Sequence, residues 1–199
     1  MKVNKDPAMI TSGYDRLEND KYFTIETWVT QALHDTIDIP EGSIWEPACG
    51  AGHMSNVLLR NGHDVYCSDI VDHGFGVTEE VIDFLSTDAS SYNDKFHIIT
   101  NPPYEKKECE AFVRHALKHI RHTGGLMAML LRNEWDSAST RNDLFGHCPE
   151  FFMKLVLTKR PRWFEKTEES SSPRHNYSWF IWRGDHSGPA SIHHHYERR

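Results

Sequence analysis

Short apolar runs alternate with longer helix-like segments along most of this chain, and this alternation most constrains its fold. The most apolar run covers residues 126–131. It follows a segment in which Phe112, Leu117 and Ile120 recur at helical spacing. Such alternation favours a mostly parallel sheet with helices on both faces. The predicted strands cover residues 43–48, 64–70, 81–85, 97–100, 126–131, 152–158 and 177–182, and the predicted helices cover residues 55–60, 105–121 and 137–145.

The last two predicted strands follow one another with no helix between them, which predicts a seven-stranded α/β sheet that ends in an antiparallel pair. With 199 residues, the chain has the length of one domain with a sizeable core. Residues 185–199 are predicted to form a flexible tail, because His193, His194 and His195 are consecutive in a polar segment. Their spacing does not suit a metal site, and we predict no metal.

The composition, 38% hydrophobic and 26% charged residues, is typical of a globular protein. No apolar run approaches the ~20 residues that span a bilayer, and the first residues contain no apolar signal region. We therefore expect a cytoplasmic protein without membrane contact. The cysteines lack the CxxC spacing of a zinc site and are expected to be reduced and mostly buried; they are Cys49, Cys67, Cys109 and Cys148.

The formal net charge of −7 would repel a polyanion unless one face of the protein is basic. One segment late in the chain is a candidate for such a face, because basic residues interleaved with aromatic ones suit phosphate contact and base stacking. The alternative is a solvated strand end with two core aromatic residues. The basic residues are Lys154, Lys159, Arg160, Arg162 and Arg174, and the aromatic residues are Trp163 and Phe164.

The tetrapeptide Asn101-Pro102-Pro103-Tyr104 follows an apolar run at the carboxyl end of a predicted strand. Each proline fixes its own φ and keeps the preceding residue out of helical geometry, so the segment is extended and rigid. The side-chain oxygen of Asn101 and the carbonyl of Pro102 can then accept both hydrogens of one planar NH₂ group. Tyr104 would stack on the ring that carries this group. The alternative is an ordinary strand-ending turn.

A turn with two glycines, Glu46-Pro47-Ala48-Cys49-Gly50-Ala51-Gly52, ends the first predicted strand. Glycines at a strand-to-helix turn let the backbone approach a ligand closely, at the edge where open α/β sheets bind ligands. The turn lacks both the Lys-Ser/Thr pair of a P-loop and the GxGxxG spacing. Glu46 disfavours a polyphosphate and tolerates a cationic ligand.

Acidic residues follow the next two predicted strands. Asp69 lies about 20 residues beyond the glycines, where a carboxylate can bind ribose hydroxyls. Asp83 could accept a hydrogen bond from an adenine amine, and Phe84 could form an apolar wall for its ring. Each acid alone is typical of a solvated loop, but together with the glycine turn these residues predict a nucleoside-bearing cofactor.

With these motifs the chain resembles the class I S-adenosylmethionine-dependent methyltransferases, and among them the DNA methyltransferases that modify adenine at N6. A further segment upstream is similar to the amino-terminal cofactor motif of that family. The matching residues are Lys21-Tyr22-Phe23-Thr24, EPACGAG at 46–52, Asp69, Asp83-Phe84 and NPPY at 101–104.

The resemblance implies a Rossmann-like α/β fold with a mostly parallel seven-stranded sheet, an antiparallel last strand and helices on both faces. It also implies a single methyltransferase domain over residues 1–199, in which residues 1–42 contact the cofactor. That cofactor would be S-adenosyl-L-methionine. The cofactor-binding residues implied in this way are Tyr22, Thr24, Glu46, Pro47, Ala48, Gly50, Gly52, Asp69, Ile70, Asp83, Phe84 and Asn101.

By the same resemblance, the reaction is direct methyl transfer, without a covalent enzyme intermediate, to N6 of an adenine flipped out of DNA. Asn rather than Ser before Pro-Pro-Tyr favours adenine over cytosine. The implied catalytic residues are Asn101, Pro102, Pro103 and Tyr104, and the implied substrate-binding residues are Tyr104, Trp163, Phe164, Arg160, Arg162 and Arg174.

Other acceptors suit the same tetrapeptide. RNA adenine-N6 methylation, glutamine methylation in a protein, and a catalytically silent cofactor-binding module are the alternatives. Room for target recognition is limited to residues 133–149 and 159–176. We therefore predict short or relaxed sequence recognition, or recognition supplied by a second subunit.

Overall fold

The computed structural model of the protein describes residues 22–75, 80–91, 96–163 and 175–195, and these ranges contain one eight-stranded sheet flanked by helices. Short 3₁₀ helices cover Phe84–Ser86, Ala89–Ser91, Trp135–Ser137 and Ser139–Leu144. The α-helices are α1 (Thr27–Thr36), α2 (His53–Arg60) and α3 (Lys106–Thr123). The strands are β1 (Ser43–Glu46), β2 (Val65–Asp69), β3 (Glu80–Val81), β4 (Phe96–Thr100), β5 (Leu126–Arg132), β6 (Phe151–Leu157), β7 (Tyr177–Arg183) and β8 (Ser191–His195).

The strand order in the sheet is β3-β2-β1-β4-β5-β7-β6-β8. β7 runs antiparallel to both of its neighbours, whereas every other described pairing is parallel. Along β5, alternate side chains enter two different apolar clusters: Leu130 packs with α1 and α2 on one face, and Met129 packs with α3 on the other. The predicted Rossmann-like α/β fold, mostly parallel with helices on both faces, is confirmed.

The direction in which successive strands are added to the sheet reverses beside β1. From β1 the chain proceeds outward to β2 and β3, and it then returns to place β4 on the other side of β1. Open α/β sheets bind ligands at such a switch point, outside the carboxyl ends of the strands. The glycine turn after β1 and the tetrapeptide after β4 therefore lie side by side.

Two predicted elements differ in the structure. The third strand is shorter than predicted, because Asp83 accepts a hydrogen bond from the backbone N–H of Leu85 at 3.0 Å and starts a 3₁₀ turn there. The helix predicted over residues 137–145 is present as 3₁₀ turns. Its Ser, Asn and Asp side chains compete for backbone hydrogen bonds and favour turns over a regular helix.

The predicted flexible tail is wrong over Ser191–His195, which forms β8. This strand pairs in parallel with the edge of β6, from Met153 opposite Ser191 to Leu157 opposite His195. The hydroxyl of Thr158 also donates to the carbonyl of His195 at 2.6 Å. The polar sequence of this segment was read as disordered, whereas backbone pairing with β6 needs no apolar side chains.

All four cysteines are buried and free, as predicted. No helix in the described ranges is long and apolar enough to cross a membrane.

Two histidines of α3 meet in the interior behind Phe84. The Nε2 atoms of His115 and His119 are 3.1 Å apart, and both lie within 3.2 Å of the hydroxyl of Thr87. His119 is fully buried. Burial lowers the pKa of His115 and lowers that of His119 from 6.5 to about 4. Both rings are therefore neutral in the folded protein at neutral pH.

We expect His119 to contribute a loss of stability as the pH falls from 6.5 towards 4, while the raised pKa of the Glu46 carboxyl contributes in the opposite direction. In this window the unfolded chain binds a proton on residue 119 that the folded state excludes, and this difference lowers the free energy of unfolding by up to about 3 kcal/mol. Chemical denaturation at several pH values measures the slope. His119→Gln should remove this contribution, so that its stability falls less, or rises more, on acidification than that of the unmodified protein. His193→Gln, on an exposed part of β8, should leave the slope unchanged. Equal slopes in the unmodified protein and both variants would contradict the lowered pKa of His119.

Candidate cofactor and acceptor site

A cavity of about 590 Å³ opens at the carboxyl edge of the sheet. It is lined by the segments that follow β1, β2, β3 and β4, together with the segment that precedes α1. Most of the residues predicted to bind the cofactor or the acceptor line it. They are Tyr22, Pro47, Ala48, Gly50, Asp69, Ile70, Asp83, Phe84, Asn101, Pro102, Pro103 and Tyr104.

A second cavity of about 30 Å³ adjoins the first and shares Tyr22, Ala48 and Asn101 with it. Thr24 and Glu46 line this smaller cavity. The hydroxyl oxygen of Thr24 is buried and has no hydrogen-bond partner among the described residues. Because a buried hydroxyl without a partner is unfavourable, the position suits a ligand that brings a polar group to it.

The glycine turn adopts backbone angles that favour glycine at two positions, with φ of +52° at Gly50 and +73° at Gly52. A Cβ at Gly50 would lie 2.6 Å from the ring of Phe23, and a Cβ at Gly52 would lie 2.2 Å from the ring of Phe75. Aromatic rings therefore pack directly on this backbone. Gly50 lines the large cavity, while Gly52 is not among the residues that line either described cavity and instead directly precedes α2 as its N-cap.

Asp69 connects the turn after β1 to the end of β2. Its Oδ2 accepts from the backbone N–H of Gly50 at 2.8 Å, and its Oδ1 accepts from that of Val71 at 3.1 Å. A carboxylate has about four lone-pair sites, so two remain for ligand hydroxyls. The whole residue is buried at 8% exposure, and it lines the large cavity.

Glu46 is buried at the junction of β1 and the glycine turn, and the hydroxyl of Ser55 donates to its Oε2. Burial raises the pKa of the Glu46 carboxyl to about 8. Without a ligand the group is therefore mostly protonated at neutral pH. A cationic group in the small cavity would favour its ionised form, since an opposite charge lowers a carboxyl pKa.

Around Asp83, the large cavity combines one carboxylate with apolar walls. Asp83 is exposed, and the ring of Phe84 is buried behind it, 4.6 Å from the ring of Phe112. Ile70 faces the cavity and is 60% exposed. A planar heterocycle would cover this apolar surface.

Asn101 has a fixed amide orientation. Its Nδ2 donates to the backbone carbonyl of Tyr22 at 2.8 Å, so its Oδ1 is the atom presented as an acceptor. The hydroxyl of Tyr104 donates to this Oδ1. The Asn101 oxygen is therefore held in one orientation, and in this structure it accepts from a neighbouring side chain.

The ring of Tyr104 belongs to an aromatic cluster, defined here as Tyr22, Tyr104, Trp163 and Tyr177. From Tyr104, the other ring centroids lie 6.0 Å, 5.9 Å and 5.7 Å away respectively. Trp163 is only 5% exposed and is not among the residues that line either described cavity. Here it packs as a core residue beside Tyr104.

The basic residues predicted to contact nucleic acid lie in different surroundings. Lys154 forms a partly buried ion pair with Asp136 at 2.8 Å, so its charge is already compensated. Arg160 and Arg162 are exposed, and the Nε of Arg160 donates to Asn176 at 2.8 Å. The structure places neither arginine among the residues that line the two described cavities. Phe164 and Arg174 lie outside the described residues.

Several cavity residues were missed from the sequence. Glu105 and Glu108, in the first turn of α3, line the large cavity, as does His73, whose Nε2 is 3.8 Å from Asp69 Oδ1. The position of the glutamates directly after the tetrapeptide was an available signal. Tyr177 is not among the residues that line the two described cavities, but it belongs to the aromatic cluster around Tyr104. Its signal was weaker, because it is the first residue of β7 and its pairing opposite Arg132 depends on strand order.

The strand order, the antiparallel β7 and the cavity at the switch point define the Rossmann-like fold of class I methyltransferases. Two similar solved structures are modification proteins of type I restriction enzymes. The modification subunit of a putative type I restriction enzyme from Vibrio vulnificus YJ016 has a TM-score of 0.59 and 12% identity over 89% of this chain. The EcoKI M protein has a TM-score of 0.54 and 12% identity over 89% of this chain.

A putative RNA methyltransferase from Pyrococcus horikoshii has a TM-score of 0.51 and 15% identity, over 79% of this chain and 80% of that one. The chain spans about half the length of the two restriction proteins, 47% and 49% respectively. No protein-family model and no curated protein matches the sequence. At these identities the similarity establishes the fold.

Proposed function

We propose that this chain binds S-adenosyl-L-methionine and transfers its methyl group to the exocyclic N6 amine of adenine in DNA. The observation that carries the proposal is the fixed amide of Asn101. Its Nδ2 is held by the carbonyl of Tyr22, and its Oδ1 is presented as an acceptor beside the cavity at the switch point. Such an oxygen binds an N–H donor and cannot bind a carbonyl group.

The residues around the cavities fit the proposed cofactor. The buried hydroxyl of Thr24 would receive the methionine carboxylate, and Glu46 with the glycine turn would surround the methionine portion. Asp69 and Ile70 would hold the ribose, and Asp83 and Phe84 the adenine. The cofactor supplies a methyl group on a positively charged sulfur.

The contribution of the protein would be orientation and charge stabilisation. Asn101 Oδ1 and the Pro102 carbonyl would accept the two hydrogens of the amine and turn its lone pair towards the methyl carbon. These two oxygens would also stabilise the positive charge that develops on the nitrogen as it takes the methyl group from the sulfonium, whose S–C bond would break as the N–C bond forms. The extra proton then leaves the nitrogen for solvent. Pro103 keeps the segment extended, and Tyr104 would stack on the base.

Support for DNA comes from the tetrapeptide and from the similarity of fold to the two restriction modification proteins. We propose that Arg160, Arg162 and Arg174 contact phosphates, and that Trp163 or Phe164 borders the flipped base. A second candidate acceptor is adenine in RNA. The similarity of fold to the putative RNA methyltransferase favours it.

Incubation with methyl-labelled cofactor and separate DNA, RNA and protein acceptors tests the proposal. We expect label in DNA, recovered as N6-methyladenine by mass spectrometry of the nucleosides, within a short or relaxed sequence context. Label confined to RNA would replace DNA by the second candidate. Cofactor binding without label in any acceptor would indicate a silent binding module and contradict the proposed activity.

A further inference from the structure

We infer that the hydroxyl of Tyr104 is a specificity-determining group that occupies the Asn101 acceptor until an N–H donor replaces it. The inference rests on the proposed function, because it assigns a second role to the residue that would stack on the base. In the structure the hydroxyl donates to Asn101 Oδ1, the same oxygen that must accept the substrate amine.

The side chain of Asn101 cannot avoid this competition by rotating. Its Nδ2 donates to the Tyr22 carbonyl at 2.8 Å, and a turn of the amide would break that bond and direct an N–H group into the acceptor position. The oxygen therefore stays in place. A group that enters the site must therefore replace the Tyr104 hydroxyl as the donor to Asn101 Oδ1, or leave that hydrogen bond intact.

The hydroxyl has a second acceptor within reach. The backbone carbonyl of Leu130, in β5, lies 3.2 Å from the Tyr104 oxygen. A phenol has one hydrogen and can donate it fully to one acceptor at a time, and rotation about the C–O bond redirects it. The hydrogen can thus move from Asn101 Oδ1 to the Leu130 carbonyl, but the tyrosine then exchanges its bond to Asn101 for a longer one, and this exchange costs binding free energy.

The ring itself is held in place while the hydrogen moves. Tyr22, Trp163 and Tyr177 contact it with centroid distances between 5.7 and 6.0 Å, at interplanar angles of 57° to 70°. Displacement of the whole side chain would break these contacts. Exchange of the hydroxyl hydrogen is the smaller rearrangement.

This exchange favours a substrate that carries a hydrogen-bond donor at the position facing Asn101 Oδ1. An amine donates a hydrogen to Asn101 Oδ1 and so compensates for the bond that Tyr104 gives up. A carbonyl at the same position has no hydrogen to donate, and its oxygen would face the oxygen of Asn101. Adenine and hypoxanthine differ in this way at position 6, so they are a matched pair of ligands.

The test is equilibrium binding of short single-stranded oligodeoxynucleotides, with adenine or hypoxanthine at one position, to protein saturated with S-adenosylhomocysteine. Tyr104→Phe keeps the ring and removes the competing hydroxyl. We expect it to bind the adenine ligand about 2- to 10-fold more tightly than the unmodified protein, the range of one net hydrogen bond. Hypoxanthine affinity should not rise. In turnover with labelled cofactor, KM for adenine DNA should fall while kcat does not increase.

Tyr177→Phe is the matched control, because it removes a hydroxyl from a buried tyrosine of the same cluster whose ring contacts Tyr104. Adenine binding by this variant should be unchanged. Unchanged or weaker adenine binding by Tyr104→Phe, an equal gain for hypoxanthine, or the same gain in Tyr177→Phe would each overturn the inference. So would failure of all three proteins to bind adenine. The binding measurement needs no turnover, so an absence of methyl transfer would reject the proposed activity and leave this test decisive.

Discussion

Asn101→Ala is expected to reduce methyl transfer by at least ~100-fold, the scale on which removal of one group that stabilises transition-state charge acts. The variant loses the oxygen that would accept the substrate N–H and stabilise the charge on nitrogen. It also loses the bond to the Tyr22 carbonyl. Cofactor affinity, measured by calorimetry, should change little, because the residues proposed to hold the ribose and the adenine, Asp69 and Asp83 among them, are unchanged. Methyl transfer is measured with labelled cofactor and adenine-containing DNA.

Asn142→Ala is a suitable control, since Asn142 is exposed in the 3₁₀ turn Ser139–Leu144 and is not among the residues that line the described cavities. Its turnover should match that of the unmodified protein. Near-normal turnover in Asn101→Ala would contradict both the role of the tetrapeptide and the proposed mechanism.

Asp69→Ala should weaken both cofactor binding and folding. Two backbone N–H groups, those of Gly50 and Val71, lose their acceptor, and the buried one, that of Gly50, costs about 1–3 kcal/mol when left unpaired. The glycine turn also loses its connection to β2. We expect cofactor affinity to fall by at least ~100-fold, which corresponds to about 2.7 kcal/mol. Chemical denaturation and calorimetry measure the two effects separately.

Asp72→Ala provides the comparison for this variant. Asp72 lies in the same segment and also accepts a backbone N–H, that of Gly74 at 2.8 Å, but it is exposed. Its removal should change neither quantity substantially. Equal losses of stability and cofactor affinity in Asp69→Ala and Asp72→Ala would contradict the role proposed for Asp69. Asp69→Asn, which keeps an acceptor oxygen, should retain more stability than Asp69→Ala.

Much of the architecture was predictable because its signals are local. The apolar run of β5, with six buried residues in succession, is typical of a strand covered on both faces, and the structure buries it in that way. The positions of Gly50 and Asn101 at strand ends could be derived from turn chemistry and proline geometry. Parallel strands then bring such ends to one edge.

The remaining features depend on contacts between distant residues. Asn101 is held by Tyr22, which lies 79 positions earlier, and the chain between them carries no pattern that pairs the two. The protonated state of Glu46 follows from its complete burial, which a charged residue type does not suggest. The rings of Phe23 and Phe75 above the glycines are likewise set by how the loops meet.

β8 forms one of the two edges of the sheet. Without it, the backbone of β6 would be an open template next to the apolar side chains of Met153, Leu155 and Leu157, and such edges recruit other chains. β8 pairs with that backbone and substitutes an edge on which His193 and His194 are exposed. We therefore expect a chain shortened before residue 191 to aggregate more readily than the full chain, even with the proposed site intact.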